Sequence, residues 1–533
     1  MLLVDILTVW AGFLLIWVLI NRGVPVFQEL IRDMTDFFME KALGPGADLF
    51  EGRAGSGTVA WMMHGMLWTC IGGAFTFIGL WMNHEPDAIA SLSSIYYEPS
   101  TATVQTAAYG AASGGILMLL IGAGLHINGR LSGAGVASET NAVLVSYAFS
   151  MTLLLGFVSD HTDSTWGSYL ETAAGIIAVL VMIAILANHL LTLGRRTHDT
   201  VMPSQWLIIG GLGLPLLMCA ADFVFDLHDA VLESMAILPM LASGLAVALY
   251  VAPFASAAPL WSRTLAGTTV FMTFVTLSPI GIEGAAESSM GDAAMLTILY
   301  AASMVPLLAA AGNVMQTART NWGKATGNPA STAVMIGMIM VVGSAIGHLF
   351  VGSDVHSMSE IQHLSSPMNL LFLWGGMGMI AWGGVIACFP SASGRSLDST
   401  ETSRTTMWLV AGGATLAFLF SMGSSMISAA YDAAATANDS IDSDLIDMSA
   451  VATMDVLASI AFYTVSIASI LMMINMIRGL FSGAPLGTDE PTPQSANRIA
   501  LTPGSTTIRQ LIAAGAGADT EIDVICDDCD EEE

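Results

Sequence analysis

Residues 367–389 read PMNLLFLWGGMGMIAWGGVIACF and contain no Asp, Glu, Lys or Arg. An α-helix needs about 20 consecutive, mostly apolar residues to cross a lipid bilayer. The run is continuous, whereas the strands of a membrane β-barrel alternate apolar and polar residues. This stretch therefore predicts a membrane-spanning helix, and it guides the interpretation of the rest of the chain.

Further stretches of the same kind lie on both sides of this one, and together they predict thirteen membrane-spanning helices. The others cover residues 3–21, 58–82, 102–126, 137–158, 169–193, 203–225, 229–252, 264–282, 293–314, 331–351, 406–428 and 452–477. The predicted fold class is an all-α, polytopic membrane helix bundle.

Three regions follow from this count. Residues 1–57 hold the first span and an amphipathic helix, over residues 24–41, that we expect to lie on the membrane interface. Residues 58–480 form a membrane domain of twelve helices. Residues 481–533 form a polar, acidic tail, ending in CDDCDEEE, that we expect to be disordered.

The composition excludes several other classes of protein. Hydrophobic residues make up 54% of the chain and charged residues only 11%, against roughly 25% charged residues in soluble domains. The 15 basic residues form no cluster of the kind that nucleic-acid binding needs, and the five cysteines show no regular spacing. Acidic residues number 43 and the net charge is −28. Such acidic, lysine-poor surfaces indicate a halophilic host, where salt screens self-repulsion.

The positions of the basic residues predict the orientation of the chain. With thirteen spans, every Lys and Arg falls on one side of the membrane. The loops on the other side contain none, and they are residues 83–101, 159–168, 226–228, 283–292, 352–366 and 429–451. The positive-inside rule assigns the basic side to the cytoplasm. We therefore expect a multi-pass protein of the plasma membrane with its N-terminus outside and its C-terminal tail inside.

Four motifs, taken in their order along the chain, point to a family. They are NHLLTLGRR at 188–196, APFASAAPLWSRTLAG at 252–267, NVMQTAR at 313–319 and DVHSMSEIQHLSSPMNLLFLWGGMGMIAWGGVIACFP at 354–390. Together with twelve helices after the first, they resemble subunit I of the heme-copper oxidase superfamily. The C-type oxidase and nitric oxide reductase branch is the most similar, and the resemblance covers about residues 58–480.

The resemblance implies a respiratory-chain protein of electron transport, with heme and copper or iron as cofactors. Membrane lipid and other respiratory-complex subunits would be its partners, and an active form would be an oxidoreductase that reduces oxygen or nitric oxide. The family's metal-ligating histidines are largely missing, however. Tyr109 stands where helix II of the family carries a histidine, and Ile282 and Glu283 stand where helix VII carries a histidine pair. These departures predict a diverged homologue that has lost or rebuilt its metal centres, and whether it is an enzyme stays open.

Four remaining histidines are candidate ligands, because imidazole binds both iron and copper. His228 matches the single metal ligand on helix VI of the family, although Leu232 replaces the family's tyrosine four residues on. His348, His356 and His363 precede or open helix X and are candidates for cofactor binding. Each could instead be solvated or hydrogen-bonded to neighbours.

Carboxylates predicted at membrane depth form a second group of candidates. A charge at the centre of a bilayer costs about 2.5 kcal/mol or more, so such residues usually line a polar path. Glu233 lies five residues into its span, and Glu283 ends the next one. We interpret both as candidate catalytic residues on a proton or cation path. Glu233 could equally be a protonated carboxyl bonded to a backbone carbonyl. A secondary transporter or ion channel is therefore the alternative function.

Overall fold

The computed structural model describes residues 2–23, 54–90, 99–162, 165–197, 200–280, 290–352, 364–437 and 448–486. The predicted interfacial helix at 24–41 lies outside these ranges, as does the predicted tail from residue 487 onward. The described residues are almost entirely helical, and the only bridge between extended residues among them joins Arg395 to Pro485. The all-α fold class is confirmed.

Sixteen α-helices follow one another along the described residues. They are α1 Leu2–Val18, α2 Ser56–His84, α3 Thr101–Ser132, α4 Glu139–Asp160, α5 Thr165–Gly194, α6 Pro203–Phe225, α7 Asp229–Ser256, α8 Arg263–Val275, α9 Met290–Ala302, α10 Met304–Thr320, α11 Trp322–Gly327, α12 Pro329–Gly352, α13 Ser365–Leu370, α14 Met379–Ser393, α15 Thr400–Ala437 and α16 Ser449–Ser482. Wider π-helical turns follow α1 at Leu19–Gly23 and join α13 to α14 at Leu371–Gly378.

Twelve helical stretches of the described chain are long and apolar enough to cross a membrane. All thirteen predicted spans fall on helices, but the one expected over 264–282 is shorter than predicted. Its helix, α8, ends at Val275, and Thr276 already has extended backbone angles. Pro279 explains the early end, because a proline disfavours helical geometry in the residue before it and has no N–H to donate.

Three spans form the centre of the bundle. Within their most apolar windows, 83% of α3, 89% of α7 and 89% of the α13–α14 stretch are buried. Glycines let these helices approach their neighbours backbone to backbone, as is common in membrane proteins. A Cβ at Gly72 of α2 would lie 2.5 Å from the backbone nitrogen of Ala112 in α3, and one at Gly383 of α14 would lie 2.8 Å from the carbonyl oxygen of Ala330 in α12. The centre is therefore packed too closely for side chains at these positions.

Contacts between helix ends gather the described basic residues at one end of the bundle, called here the basic end. The Arg195 guanidinium donates to the Ala137 carbonyl, Arg404 donates to Gly327, and Arg395 donates to Gly483. The opposite end carries no described Lys or Arg and is called the acidic end. The start of α1 lies there, because the carboxylate of Asp5 accepts a hydrogen bond from the backbone N–H of His228.

An asparagine clamp fixes the start of α8 at the basic end. The side-chain oxygen of Asn313 accepts from the backbone N–H of Ser262 at 3.1 Å, and its amide donates to the Ser262 carbonyl at 2.8 Å. Thr317, one turn further on, accepts from the N–H of Trp261. Ser262 in turn caps the N-terminus of α8. The Asn-x-x-x-Thr motif therefore binds the last turn of one helix to the first turn of another.

The same clamp occurs twice more in the chain. Asn188 bonds the N–H and carbonyl of Ser138, which caps α4. Asn475 bonds the N–H and carbonyl of Ser399, just before α15. The three clamps recur at intervals of about four spans and hold three pairs of neighbouring helices in the same way. Two of them contain the motifs on which the family resemblance depends.

Candidate functional site

His348 lies near the end of α12 and is 1% exposed. Its Nδ1 lies 2.9 Å from the Ser344 carbonyl oxygen, and its Nε2 lies 2.8 Å from the side-chain oxygen of Asn369 in α13. An iron ligand must present a ring nitrogen to the metal. Both nitrogens of His348 are directed at protein groups, so in this arrangement the ring joins α12 to α13.

His228 serves as the N-cap of α7. Its Nδ1 accepts a hydrogen bond from the backbone N–H of Ala230 at 3.2 Å, while its own backbone N–H is bonded to Asp5. The side chain is half-buried at the acidic end. His228 therefore connects the N-terminal helix to the central helix α7.

Of the predicted carboxylates and the remaining histidine candidates, the structure describes only Glu233. Glu233 lies in the second turn of α7, with its side chain on the exposed face of that helix. Glu283, His356 and His363 lie outside the described residues, and their predicted roles stay predictions. Within the described ranges, no group of three or more His, Cys, Asp or Glu side chains could hold a metal ion.

The interior of the bundle beside α13 and α14 is filled by apolar side chains. Trp374, in the π-helical turn, is 1% exposed and packs edge-on against Phe462 of α16, with ring centroids 5.2 Å apart. The far edge of its indole lies 3.3 Å from where a Cβ on Gly73 of α2 would stand. The indole thus occupies the space between α2, α16 and the central stretch.

Met377 fills the corresponding space on the other side of the same turn. Its sulfur lies 2.6 Å from the position of a Cβ on Gly244 in α7, and the residue is fully buried. Met377 follows Trp374 by three positions, and the two side chains pack against different neighbours. The central stretch therefore contacts α2 and α16 through the one residue and α7 through the other.

Tyr109, which stands where the resemblance would place a heme-ligating histidine, does not face this interior. It is 39% exposed, on the outer surface of α3. From the buried face of α3, Ile116 packs against Gly378 of the π-helical turn instead. Two turns beyond Tyr109, α3 thus contacts the central stretch through an apolar side chain.

A polar cavity of about 230 Å³ opens at the acidic end between α2, α13, α15 and α16. Four serines of α15 line one side of it, at the helical spacing of three and four residues that places them on one face. They are Ser421, Ser424, Ser425 and Ser428. Asn83 of α2 and Ser366 of α13 line it as well. Hydroxyl and amide groups from three helices thus face one cavity.

Asp455 of α16 is the one carboxylate residue among those that line this polar cavity. Its carboxylate is half-buried and accepts a hydrogen bond from Ser424. The buried hydroxyl oxygen of Ser421 has no hydrogen-bond partner among the described residues, and a buried hydroxyl without one is costly unless water supplies it. The lining can therefore hold water and accept or release a proton. The sequence signal that could have found it is the serine spacing in SMGSSMIS at 421–428.

The Trp374–Phe462 pair lies directly beneath the polar cavity. Trp374 follows the cavity residue Leu370 by four positions, and Phe462 follows Asp455 by seven, so each continues its helix face inward by one or two turns. The aromatic pair separates the polar cavity from the deeper core.

Comparison with known proteins gives a match in structure and none in sequence. No family model matches the chain, and no curated protein matches it. Chains of solved structures do match, among them a cryo-EM structure of a heme-copper terminal oxidase dimer. That match has a TM-score of 0.56 at 10% sequence identity, and it covers 83% of this chain and 90% of the other. The protein is thus a multi-pass helical membrane bundle with the fold of a heme-copper terminal oxidase.

The described residues do not fit the cofactors of that fold. A heme between the central helices needs axial imidazoles and space for the macrocycle. Among the described candidates, Tyr109 faces outward and His348 directs both ring nitrogens at the protein. Trp374 and Met377 fill the space beside the central stretch, which is thus packed as an apolar core.

Proposed function

We propose that this chain is a non-catalytic, respiratory-chain-related membrane subunit built on the heme-copper oxidase fold. The observation that carries the proposal is the filled interior around Trp374 and Met377. Loss of a cofactor from a packed core leaves a cavity unless side chains replace it. The large apolar side chains of the central stretch support the proposal, because a core filled in this way needs no prosthetic group to avoid a cavity.

The features that maintain the fold support a role that depends on shape rather than on redox chemistry. The three asparagine clamps and the glycine contacts between α2 and α3 hold the helices in place. Most subunits change shape little when they assemble, so an assembly subunit needs a backbone that holds its contact surface in place. We infer that its partners are lipid and other subunits of a membrane complex.

The proposed orientation follows from the two ends of the bundle. The basic end would face the cytoplasm by the positive-inside rule. Since Asp5 contacts His228 at the acidic end, the N-terminus would then lie outside and the end of α16 inside. The polar cavity with Asp455 would open to the outer side of the plasma membrane.

The visible spectrum of the purified protein tests the proposal directly. We expect no stoichiometric Soret band and a negative pyridine hemochrome assay, with a known heme-copper oxidase purified alongside as the positive control. Mass spectrometry of the native membrane complex should find other membrane subunits with the chain. One heme per chain, lost on His356→Ala or His363→Ala, would contradict the proposal and restore the oxidase hypothesis.

The polar cavity favours a second candidate, a secondary transporter or ion channel. Polar groups and carboxylates inside a span commonly mark ion or proton pathways. This function predicts cation- or proton-dependent flux in proteoliposomes that Asp455→Asn or Glu233→Gln abolishes. Flux equal to that of empty vesicles, or flux that neither variant changes, would exclude it.

A further inference from the structure

An apolar cleft of about 460 Å³ lies between the N-terminal helix α1 and the helices α6 and α8. Phe13 and Leu14 of α1 form one wall, and Val270 and Phe271 of α8 form the other. The Phe13 ring stacks on Phe274 at 5.2 Å and closes the deep end. The cleft is thus a groove on the outside of the bundle, with apolar walls.

The mouth of the cleft lies at the basic end. Arg263 is the first residue of α8, Trp17 lies in the last turn of α1 and Trp206 in the first turn of α6, and all three line the cleft. Tryptophan is enriched where a span meets the headgroup region. From Arg263 to Phe271 the cleft extends eight residues along α8, or about 12 Å into the apolar layer.

The charge at the mouth of the cleft indicates what kind of molecule the cleft binds. Arg263 is half-buried, and among the described residues lining the cleft it is the one charged side chain. Basic sites between membrane helices on the cytoplasmic side bind anionic lipid headgroups. Gly267, on the cleft-facing side of α8, has no atom within 4 Å of where its Cβ would stand, so the groove stays open at this point.

We propose that this cleft binds one anionic phospholipid of the bilayer, with an acyl chain between α1 and α8 and the phosphate on Arg263. The lipid would join the N-terminal helix to the core near the basic end, beside the direct contacts that Phe13 of α1 makes with Phe271 and Phe274 of α8. The site is distinct from the polar cavity and from the proposed loss of heme, and neither of those proposals depends on it.

Retention of lipid in native mass spectrometry tests this site. The full-length protein is reconstituted in nanodiscs of equal parts phosphatidylglycerol and phosphatidylcholine and then released. We expect wild type to retain one phosphatidylglycerol. Arg263→Gln should reduce the preference for phosphatidylglycerol about fivefold, whereas Arg263→Lys should keep most of it. Gly267→Leu should reduce retention of both lipids by filling the groove.

Two matched control variants distinguish loss of the cleft site from a general effect of adding a leucine or removing a positive charge. Gly175→Leu adds the same side chain at another exposed, open position, and Arg319→Gln removes another charge from the basic end. Both should behave as wild type. Equal lipid retention in wild type, Arg263→Gln and Gly267→Leu would overturn the proposal. So would an oligomer that dissociates in Gly267→Leu, which would assign the cleft to a second copy of the chain.

Discussion

Replacing Asn313 by alanine should destabilise the protein without touching any candidate site. Asn313 is fully buried, and its side chain satisfies both backbone groups of Ser262. Alanine leaves that N–H unpaired at a residue that is only 7% exposed, whereas the Ser262 carbonyl keeps the helical hydrogen bond from the Ala266 N–H. An unpaired buried N–H costs about 1–3 kcal/mol and the lost hydrogen bond to the carbonyl about 1 kcal/mol, so the substitution should cost about 3 kcal/mol in all.

The assay is thermal unfolding of the detergent-purified protein, followed by the monodisperse fraction in size-exclusion chromatography at a fixed heating time. Membrane proteins of this size often unfold irreversibly, so variants are compared under one protocol. We expect the apparent Tm of Asn313→Ala to fall by about 5 °C. Asn313→Asp keeps the acceptor and can donate only when its carboxyl is protonated, so the decrease in Tm should be smaller at low pH than at neutral pH.

Asn321→Ala is the matched control, since the Asn321 side chain makes no capping hydrogen bond. Its Tm should stay close to that of wild type. Asn188→Ala should resemble Asn313→Ala, and the double variant should show the sum of the two losses because the clamps share no partner. If Asn313→Ala matched Asn321→Ala in Tm, the clamp would contribute no stability and the reasoning would be refuted.

Two further substitutions test the packing of the core. Trp374→Ala removes a fully buried indole and should cost about 3–5 kcal/mol, seen as a lower Tm, whereas a Tm equal to wild type would show that the indole is not packed against Phe462. Gly72→Leu places a side chain against the Ala112 backbone and should abolish the folded peak in size-exclusion chromatography, while Gly175→Leu at an open position should not. A normal peak for Gly72→Leu would contradict the close approach of α2 and α3.

The sequence predicts the helices well because a long apolar run has few alternatives in a membrane. The exception, α8, ends early at a local signal, Pro279, that a window of average hydrophobicity cannot detect. The face of its helix on which a residue lies is harder to predict. Glu233 lies in the second turn of α7 and on its exposed face, and the sequence does not predict that face, because helix rotation depends on which neighbours pack against the helix.

The roles of residues in the candidate site are hard to predict from the sequence for a related reason. The role of His348 could not be predicted, since its partner Asn369 lies on another helix and only the fold brings the two together. The polar cavity was missed for the opposite reason. Its serines are visible in the sequence, but they count as neutral residues in an apolar span, and Asp455 becomes significant only beside Ser424.

The residues that carry the family resemblance hold helices together, whereas the residues that depart from it stand at the family's metal-ligand positions. Asn188, Asn313 and their threonines bond backbone at helix starts, so any chain that keeps this arrangement of helices benefits from them whatever its chemistry. A histidine whose role is to ligate a cofactor contributes only while the cofactor is bound, unlike His348, which joins two helices. If the chain is the non-catalytic subunit that we propose, selection would keep the clamps and would favour packed side chains such as Trp374 over ligand histidines. The likeness in fold to an oxidase at 10% identity is therefore consistent with a chain that shares the arrangement of helices and lacks the ligand set.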